Sequence, residues 1–234
     1  MRSCYAPAVV LARTSALALL GALLSSGCDQ VEVRPFPPGQ GQDPNASGVN
    51  YPSGPYGIAV GNVISNFRFR GLANPAADAS TFVDIQLADF YNPTGSDSFA
   101  ADSPYGERPK PRALWLNLSA VWCGPCQQES EEILPEEHEK YAPQGAELFV
   151  VLADSALPGD PATEQNLINW TTKYGTAWPA GIDPSYKLPS LFTGSAYPIN
   201  LVIDTQTMEI AAIIAGIPDT GSKFYQELEA LLEP

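Results

Sequence analysis

Basic residues are scarce in this 234-residue sequence. Lysine and arginine together number 12, against 26 aspartates and glutamates, which gives a formal net charge of -14 at pH 7. A chain with this charge repels the phosphates of nucleic acids and of anionic lipid headgroups. Nucleic-acid binding is therefore excluded as a function, and we expect no nucleic-acid partner.

Cysteine and histidine are also few. The chain has four cysteines, at positions 4, 28, 123 and 126, and a single histidine, His138. A tetrahedral zinc site built on Cys123 and Cys126 would need two more ligands than the sequence readily supplies, so no metal or other cofactor is expected. A disulfide between these two cysteines would close so small a loop that it adds little stability. Neither metal binding nor stabilisation explains this pair well.

The apolar run near the N-terminus is too short to cross a bilayer. It spans residues 16–24, which is the length of the apolar region of a signal peptide. The residues that follow, Ser25-Ser26-Gly27-Cys28, resemble the lipobox of bacterial lipoproteins, in which the cysteine is acylated and becomes the mature N-terminus. This resemblance implies a signal peptide at residues 1–27 and a lipid anchor on Cys28. An ordinary cleaved signal peptide ending near Gly27 is the alternative, and both place the protein outside the cytoplasm.

Composition divides the remaining chain in two. Residues 29–57 are dense in proline and glycine and have no apolar periodicity, so residues 28–57 are predicted to be a lipidated cysteine followed by a flexible tether. Residues 58–234 are predicted to form the folded domain. Since Cys4 leaves with the signal peptide and Cys28 would be acylated, Cys123 and Cys126 are the only thiols expected in the mature protein.

Apolar runs and periodic patterns predict the elements of this domain. Strands are predicted at residues 82–87, 113–118, 148–152, 199–204 and 208–215, and an edge strand or an extended lead-in at residues 62–69. Residues 87–91 are equally compatible with a short helical turn. The predicted helices begin at Cys123, at an Asp160 cap followed by Pro161, and at Ser222. Residues 92–112 are predicted to be a surface loop, and Pro135 to kink or end the first helix. The order of strands and helices implies an α/β fold, a central mixed sheet with helices on both faces.

The sequence Trp-Cys-Gly-Pro-Cys occupies residues 122–126, where a predicted buried strand gives way to a helix. A thiol at a helix N-terminus faces unpaired N–H groups and the positive end of the helix dipole, and both favour the thiolate. Cys123 is therefore the predicted nucleophile, and Cys126, one turn later, is predicted to be shielded. The spacing brings the two sulfurs within disulfide reach, and Pro125 restricts the loop between them.

These residues resemble the active site of the thioredoxin superfamily. The longer segment Asn117-Leu118-Ser119-Ala120-Val121-Trp122-Cys123 resembles the TlpA/ResA branch of envelope thiol:disulfide oxidoreductases, in which asparagine often replaces the buried aspartate of thioredoxin. The resemblance covers about residues 61–232. It implies a thioredoxin-like fold with redox-active cysteines.

The resemblance also assigns roles to residues outside the motif. Glu129 matches an acidic residue of this branch and is the expected proton acceptor for Cys126, with a pKa raised by burial. Pro198 matches a cis-proline that faces the disulfide and binds substrate backbone, although Tyr197 precedes it where the family more often has threonine or valine. The expected substrate-binding residues are Trp122, Gly124, Pro125, Tyr197 and Pro198.

His138 and the acidic residues around it are predicted to have no role in the chemistry. His138 is predicted to be an exposed helix residue. The acidic cluster that surrounds it is predicted to be a solvated face, with a docking surface for a basic partner as the less favoured interpretation.

The function that the resemblance implies is a membrane-anchored thiol:disulfide oxidoreductase of the bacterial cell envelope, facing the periplasm. It would act on disulfide-containing envelope proteins in the reducing direction and would be recharged by a membrane electron donor. The alternative from another class is a thioredoxin-fold binding module without catalytic turnover. A copper-delivery protein is disfavoured because no histidine follows His138, and a peroxidase because no threonine-rich loop surrounds Cys123.

Overall fold

The computed structural model describes residues 51–192 and 196–233, and within these ranges seven strands form one sheet. The strands are β1 Arg68–Leu72, β2 Val83–Gln86, β3 Ala113–Ala120, β4 Ala146–Asp154, β5 Ala180–Ile182, β6 Ile199–Asp204 and β7 Ile210–Ala215. Their order across the sheet is β2-β1-β5-β4-β3-β6-β7. Every residue of β3 and β4 is buried, as expected for the near-continuous apolar runs of central strands.

The sheet is mixed, as predicted. β3, β4 and β5 run parallel, whereas β6 pairs antiparallel with β3, and β7 antiparallel with β6. The α-helices are α1 Gly124–Gln128, α2 Leu134–Tyr141, α3 Glu164–Tyr174 and α4 Lys223–Leu232. The chain moves in the same direction along the sheet from β3 to β4 and from β4 to β5. Right-handed crossovers therefore place α1, α2 and α3 on the same face.

Helical segments cover both faces of the sheet, but unevenly. All four α-helices contribute to one core cluster, in which Trp115 of β3 packs against Phe224 of α4. The opposite face is covered by residues 51–67, by loops and by the short 3₁₀ helices Leu87–Phe90 and Pro189–Leu191. The site that follows β3 therefore faces the helical layer.

The helix predicted from Cys123 to Tyr141 is continuous but irregular. A π-helical turn, Glu129–Ile133, separates α1 from α2, and the Leu134 N–H donates to the Glu129 carbonyl. Pro135 lies in the first turn of α2, directly after the π-helical turn, and it has no N–H to donate to that turn. The predicted interruption at Pro135 is therefore present as a π-helical turn immediately before it.

Several predicted boundaries are wrong. The segment predicted at 62–69 as an edge strand or an extended lead-in enters a strand only at Arg68, and this strand, β1, pairs inside the sheet between β2 and β5. The three-residue strand β5 was not predicted. Phe99 is buried within the predicted surface loop. Tyr51 is 5% exposed and its hydroxyl donates to the Ile64 carbonyl at 2.8 Å, so packed chain extends seven residues before the predicted start of the domain.

The predicted helix cap at Asp160 is also wrong. Pro161 instead forms a β-bridge with Asp154, and the cap of α3 is Thr163, whose hydroxyl accepts from the Asn166 N–H at 3.2 Å while the Asn166 side chain accepts from the Thr163 N–H. Four residues of α3 are buried: Leu167, Trp170, Thr171 and Tyr174.

The predicted signal peptide, the lipidated Cys28 and the tether before residue 51 lie outside the described residues, so they stay predictions. Among the residues described, no helix has both the length and the apolarity needed to cross a membrane.

Thr163→Ala should destabilise the protein by about 1 kcal/mol, because the substitution removes the reciprocal capping bonds of α3. Urea unfolding at pH 7 measures the change. Thr172→Ala, at an exposed position inside the same helix, is the matched control and should be neutral or slightly stabilising. Equal losses in the two variants would contradict the assignment of Thr163 as the cap.

Candidate active site

The two cysteines of the motif lie at the junction between β3 and α1. Cys123 is the N-cap of α1, and Cys126 lies in its first turn. They form a disulfide with a Cα–Cα distance of 5.3 Å, and the Cys126 N–H donates to the Cys123 Sγ at 3.2 Å. Cys126 is completely buried, as predicted, and Cys123 is only 2% exposed. The Cys126 N–H and the positive end of the helix dipole favour the Cys123 thiolate when the bond is reduced.

The peptide bond between Tyr197 and Pro198 is cis, and it faces this disulfide. The Tyr197 carbonyl oxygen lies 3.4 Å from the Cys123 Sγ. β6 begins at Ile199, directly after the proline, and its pairing with β3 brings this peptide to the end of β3 where the motif begins. The cis-proline expected from the resemblance is therefore present, and the carbonyl oxygen of its cis peptide bond contacts Cys123.

Aromatic side chains flank the disulfide. The Trp122 indole packs edge-on against the Tyr197 ring at a centroid distance of 6.1 Å, and both rings are half-buried. The Trp122 Nε1–H donates to the Asp154 Oδ2 at 2.8 Å, which anchors the indole to the end of β4. Trp122 and Tyr197 therefore border the buried disulfide with partly exposed aromatic surface.

The loop between the cysteines is the exposed part of the motif. Gly124 and Pro125 are both exposed, and a Cβ added to Gly124 would meet no atom of the described residues within 4 Å. A partner that reaches Cys123 must therefore approach past this loop and the two aromatic rings.

Glu129 lies behind the disulfide and is completely buried. Its Oε2 accepts from the Asn117 Nδ2 at 2.7 Å, and its Oε1 accepts from the Asn200 Nδ2 at 2.8 Å. Burial raises the pKa of Glu129 to about 7, although both hydrogen bonds favour the charged form and lower it. Glu129 is three residues after Cys126, so the two side chains lie on the same side of the helix. The carboxyl group is thus buried, is hydrogen-bonded at both oxygens and has a pKa well above that of an exposed glutamate.

The two asparagines that hold Glu129 come from neighbouring strands. Asn117 of β3 and Asn200 of β6 are directly opposite each other in the antiparallel register. Asn117 was identified from the resemblance, but Asn200 was not singled out. The available signal was the same for both, an amide side chain inside an otherwise apolar strand that must be hydrogen-bonded if it is buried.

Two curated proteins with similar sequences are both named as thiol-disulfide oxidoreductases. The sequence is 26% identical over 124 residues to the thiol-disulfide oxidoreductase ResA of Bacillus thuringiensis (strain Al Hakam) and to that of Bacillus anthracis. The match covers 53% of this chain and 64% of each relative, which is just under two thirds of their length. No family model matches the sequence.

The fold matches solved structures over most of the chain. A thiol:disulfide interchange protein DsbE from Chlorobium tepidum superimposes with a TM-score of 0.53 at 19% identity, covering 75% of this chain and 99% of that one. The thioredoxin domain of a thiol-disulfide oxidoreductase from Bacteroides vulgatus does so with a TM-score of 0.51 at 13% identity, again covering 75% and 99%. This chain is therefore similar in sequence to ResA proteins and has a thioredoxin-like fold.

The ResA/TlpA-like resemblance thus predicted residues that the structure brings together. Cys123, Cys126, Glu129, Tyr197 and Pro198 all converge at the end of β3. Their roles in catalysis and substrate binding stay predictions at this point.

His138 differs from its prediction. It is half-buried, and its ring lies 4.9 Å from the ring of Trp178, with burial lowering its pKa. It lines a cavity of about 350 Å³ together with Glu147, near the amino end of β4. Because β3 and β4 are parallel, this is the opposite end of the sheet from Cys123. His138 is therefore not exposed, but its separation from the site agrees with its exclusion from the chemistry.

The acidic cluster on α2 and the π-helical turn is mostly solvent-facing. Its exposed members are Glu131, Glu132, Glu136 and Glu139. Glu137 is the exception, since it is half-buried and accepts from the Tyr225 hydroxyl at 3.0 Å.

The buried carboxyl group should make stability depend on pH. Because the pKa of Glu129 is raised to about 7 in the folded protein, the folded state keeps a proton that the unfolded state has lost between about pH 4.5 and 7. Its contribution is fully present below pH 4.5 and is lost as the pH rises through 7. Relative to Glu129→Gln, the oxidised protein should lose on the order of 3 kcal/mol across this range, measured by urea unfolding.

Glu131→Gln is the control for the loss of one negative charge, since it removes an exposed carboxyl group from the same π-helical turn. The same pH dependence in the parent protein and in Glu129→Gln would contradict a buried, proton-binding Glu129.

Proposed function

We propose that this protein is a thiol:disulfide oxidoreductase of the bacterial cell envelope, held at the membrane by a lipid on Cys28. It reduces disulfides in envelope proteins that face the periplasm and is recharged by a membrane electron donor. The observation that carries the proposal is the Cys123–Cys126 disulfide at the start of α1, with the cis Tyr197–Pro198 peptide on one side and the buried Glu129 on the other. The names of the similar Bacillus proteins support it.

The reaction begins with the dithiol form. The Cys123 thiolate attacks one sulfur of a substrate disulfide, the substrate S–S bond breaks, and one substrate thiolate leaves and takes up a proton. A mixed disulfide now joins Cys123 to the substrate. The N–H groups of the first turn of α1 stabilise the Cys123 thiolate, so it is present to attack at neutral pH.

The second step belongs to Cys126. Glu129 accepts the Cys126 proton, and the resulting thiolate attacks the Cys123 sulfur and displaces the second substrate thiolate. This step forms the Cys123–Cys126 disulfide seen in the structure, and the substrate has gained two electrons. Cys126 is completely buried, so water does not reach its proton easily, and a buried base is needed close by.

Substrate binding uses the border of the site. The Tyr197 carbonyl and Pro198 lie beside the Cys123 sulfur, where an extended substrate segment can lie against them. Trp122 and Tyr197 provide aromatic surface, and Gly124 and Pro125 are exposed beside them, where a substrate can contact the loop. A polypeptide with an accessible disulfide fits this surface.

The location rests on the N-terminal sequence. The apolar run at 16–24 and the lipobox-like residues before Cys28 favour export and acylation, and the proline-rich residues that follow favour a tether. A reducing enzyme outside the cytoplasm needs electrons from within, so the proposal includes a membrane-bound dithiol donor.

Cys126→Ser should accumulate a mixed disulfide with a model substrate such as insulin, because the first attack remains and the resolving thiol is gone. Cys123→Ser, the matched variant at the other cysteine, should form no such adduct and should lose insulin reduction entirely. Non-reducing electrophoresis and mass spectrometry measure both. If the reduced parent protein binds a disulfide peptide without reducing it, the protein is a binding module and not an oxidoreductase.

The redox midpoint of Cys123–Cys126 should lie near that of thioredoxin, about -270 mV, if the enzyme works in the reducing direction. Equilibration of the purified protein in graded thiol buffers, followed by alkylation of the free thiols, gives the value. A midpoint near -120 mV would contradict the direction and indicate an enzyme that forms disulfides.

A further inference from the structure

The groups that donate to Glu129 are the side-chain amides of Asn117 and Asn200. Other groups must fix the orientation of each amide. A carboxamide can turn either its NH₂ or its oxygen toward a neighbour. An NH₂ group facing Glu129 stabilises the carboxylate, whereas an oxygen facing it stabilises the protonated acid. Whatever fixes the orientation of Asn117 and Asn200 therefore also sets how strongly Glu129 holds a proton.

Two groups with fixed roles set the orientation of Asn200. The Trp115 Nε1–H, which can only donate, lies 2.7 Å from the Asn200 Oδ1. The Gly216 carbonyl, which can only accept, lies 3.1 Å from the Asn200 Nδ2. Turning the amide over would place N–H against N–H and oxygen against oxygen. Asn200 must therefore present its NH₂ group to Glu129.

Asn200 in turn sets the orientation of Asn117. The Asn117 Nδ2 donates to the Asn200 Oδ1 at 2.9 Å as well as to Glu129, and its own Oδ1 accepts from the Ser119 hydroxyl at 2.6 Å. If Asn117 turned over, its oxygen would face the oxygen of Asn200. The indole N–H of Trp115 thus stands at the start of a chain of hydrogen bonds that ends at both oxygens of Glu129.

We propose that Trp115 is a positioning residue of the active site, whose indole N–H fixes Asn200, and through it Asn117, so that both amides donate to Glu129 and keep it a proton acceptor. It acts through Asn200 rather than on the reacting atoms. The link to Cys126 rests on the proposed function, but the effect on the proton affinity of Glu129 does not.

The other titratable groups near Glu129, Tyr225 and Cys126, do not set its proton affinity in the oxidised protein. Tyr225 of α4 faces Glu129, and its pKa is raised mainly by burial and by the charge of Glu137, so it stays neutral below pH 10. Its hydroxyl donates to Glu137. Cys126 of α1 carries no proton while it is in the disulfide. In the oxidised protein the two amides are therefore the groups that tune the titration of Glu129.

Trp115→Phe tests the proposal, because it removes the indole N–H and keeps an aromatic ring in the core. The measurement is the titration of the Glu129 side-chain carboxyl by carbon-13 NMR in the oxidised full-length protein, where no turnover is needed. The substitution removes one of the two groups that hold Asn200 in its donating orientation and leaves only the longer bond to the Gly216 carbonyl. Asn200 then turns its oxygen toward Glu129 more often, so the apparent pKa of Glu129 should rise by about one pH unit, a tenfold gain in proton affinity. An unchanged titration would overturn the proposal.

Two control variants separate the hydrogen bond from packing. Trp170→Phe removes an indole N–H that is equally buried but has no hydrogen-bond partner among the described residues. Phe224→Leu disturbs the ring that packs on Trp115 at 4.8 Å and leaves the Trp115 N–H in place. Neither should move the titration of Glu129. A shift in Phe224→Leu as large as in Trp115→Phe would show that packing is responsible and would overturn the proposal.

A second variant keeps the test open if Trp115→Phe does not fold. Asn200→Asp has the same shape, but it places an oxygen opposite the Glu129 Oε1 and so forces the two carboxyl groups to share a proton. It should raise the apparent pKa of Glu129 further than Trp115→Phe does. A titration like that of the parent protein would overturn the orientation argument.

The effect of Trp115 on the resolving step of Cys126 is measured separately. The rate at which Cys126 resolves a mixed disulfide should show a pH dependence displaced to higher pH in Trp115→Phe, by the same amount as the NMR titration. A matching displacement supports the link from Trp115 to Cys126, and an unmoved rate profile overturns that link. Failure of the proposed function itself would be seen separately, as the absence of any mixed disulfide in Cys126→Ser.

Discussion

A carboxyl group without access to solvent, held between two amides that face each other across a pair of strands, is the constraint on which this site depends. The Asn117–Asn200 pair exists only if β3 and β6 keep their register, because a shift of one residue would turn either amide to the opposite face of the sheet. The carboxyl group reaches the pair only if α1 continues into the π-helical turn that begins at Glu129. Sheet, helix and site therefore require one another.

The topology of the sheet explains why the rest of the site collects at one end. β3 delivers Cys123 at its carboxyl end, and β6, running antiparallel, starts at that same end immediately after Pro198. β4 runs parallel to β3 and ends at Asp154, which anchors Trp122. Three strand ends thus place the nucleophile, the cis peptide and the aromatic border within contact of one another. No long or flexible side chain is needed to assemble them.

Residue patterns predicted the parts of this arrangement that are local. Cys123 precedes a helix after a buried strand, and the apolar runs that became β3, β4 and β6 are visible in the sequence. The resemblance added Glu129 and the cis peptide. The patterns did not predict which residues of different strands lie opposite each other. Asn117 and Asn200 are 83 residues apart, and nothing local to either of them fixes the register that makes them neighbours.

The errors have similar physical causes. β5 has three residues, too few to show a period, and it is a strand because β4 and β1 bond to it on both sides. Asp160 and Pro161 have suitable chemistry for a helix start, but the bridge to Asp154 holds Pro161 outside the helix, and Thr163 with Asn166 caps the helix instead. In both cases a contact distant in sequence overrides a local preference.

The burial of both Cys126 and Glu129 has a consequence for the proposed reaction. Two acidic groups in one apolar enclosure do not both ionise readily, so in the dithiol state they titrate as a coupled pair that favours a single negative charge. Moving the proton from sulfur to carboxyl keeps that charge constant within the enclosure, and no charge has to enter or leave the core.

The amides at both oxygens of Glu129 then decide how the single charge divides between the two groups, because each hydrogen bond they donate favours the carboxylate over the thiolate. Donors that bound the carboxylate too strongly would leave Glu129 unable to take the proton. Burial, which raises the pKa of Glu129 to about 7, offsets them. The opposing effects of burial and hydrogen bonding are therefore what make this carboxyl group suitable as an acceptor for a buried thiol.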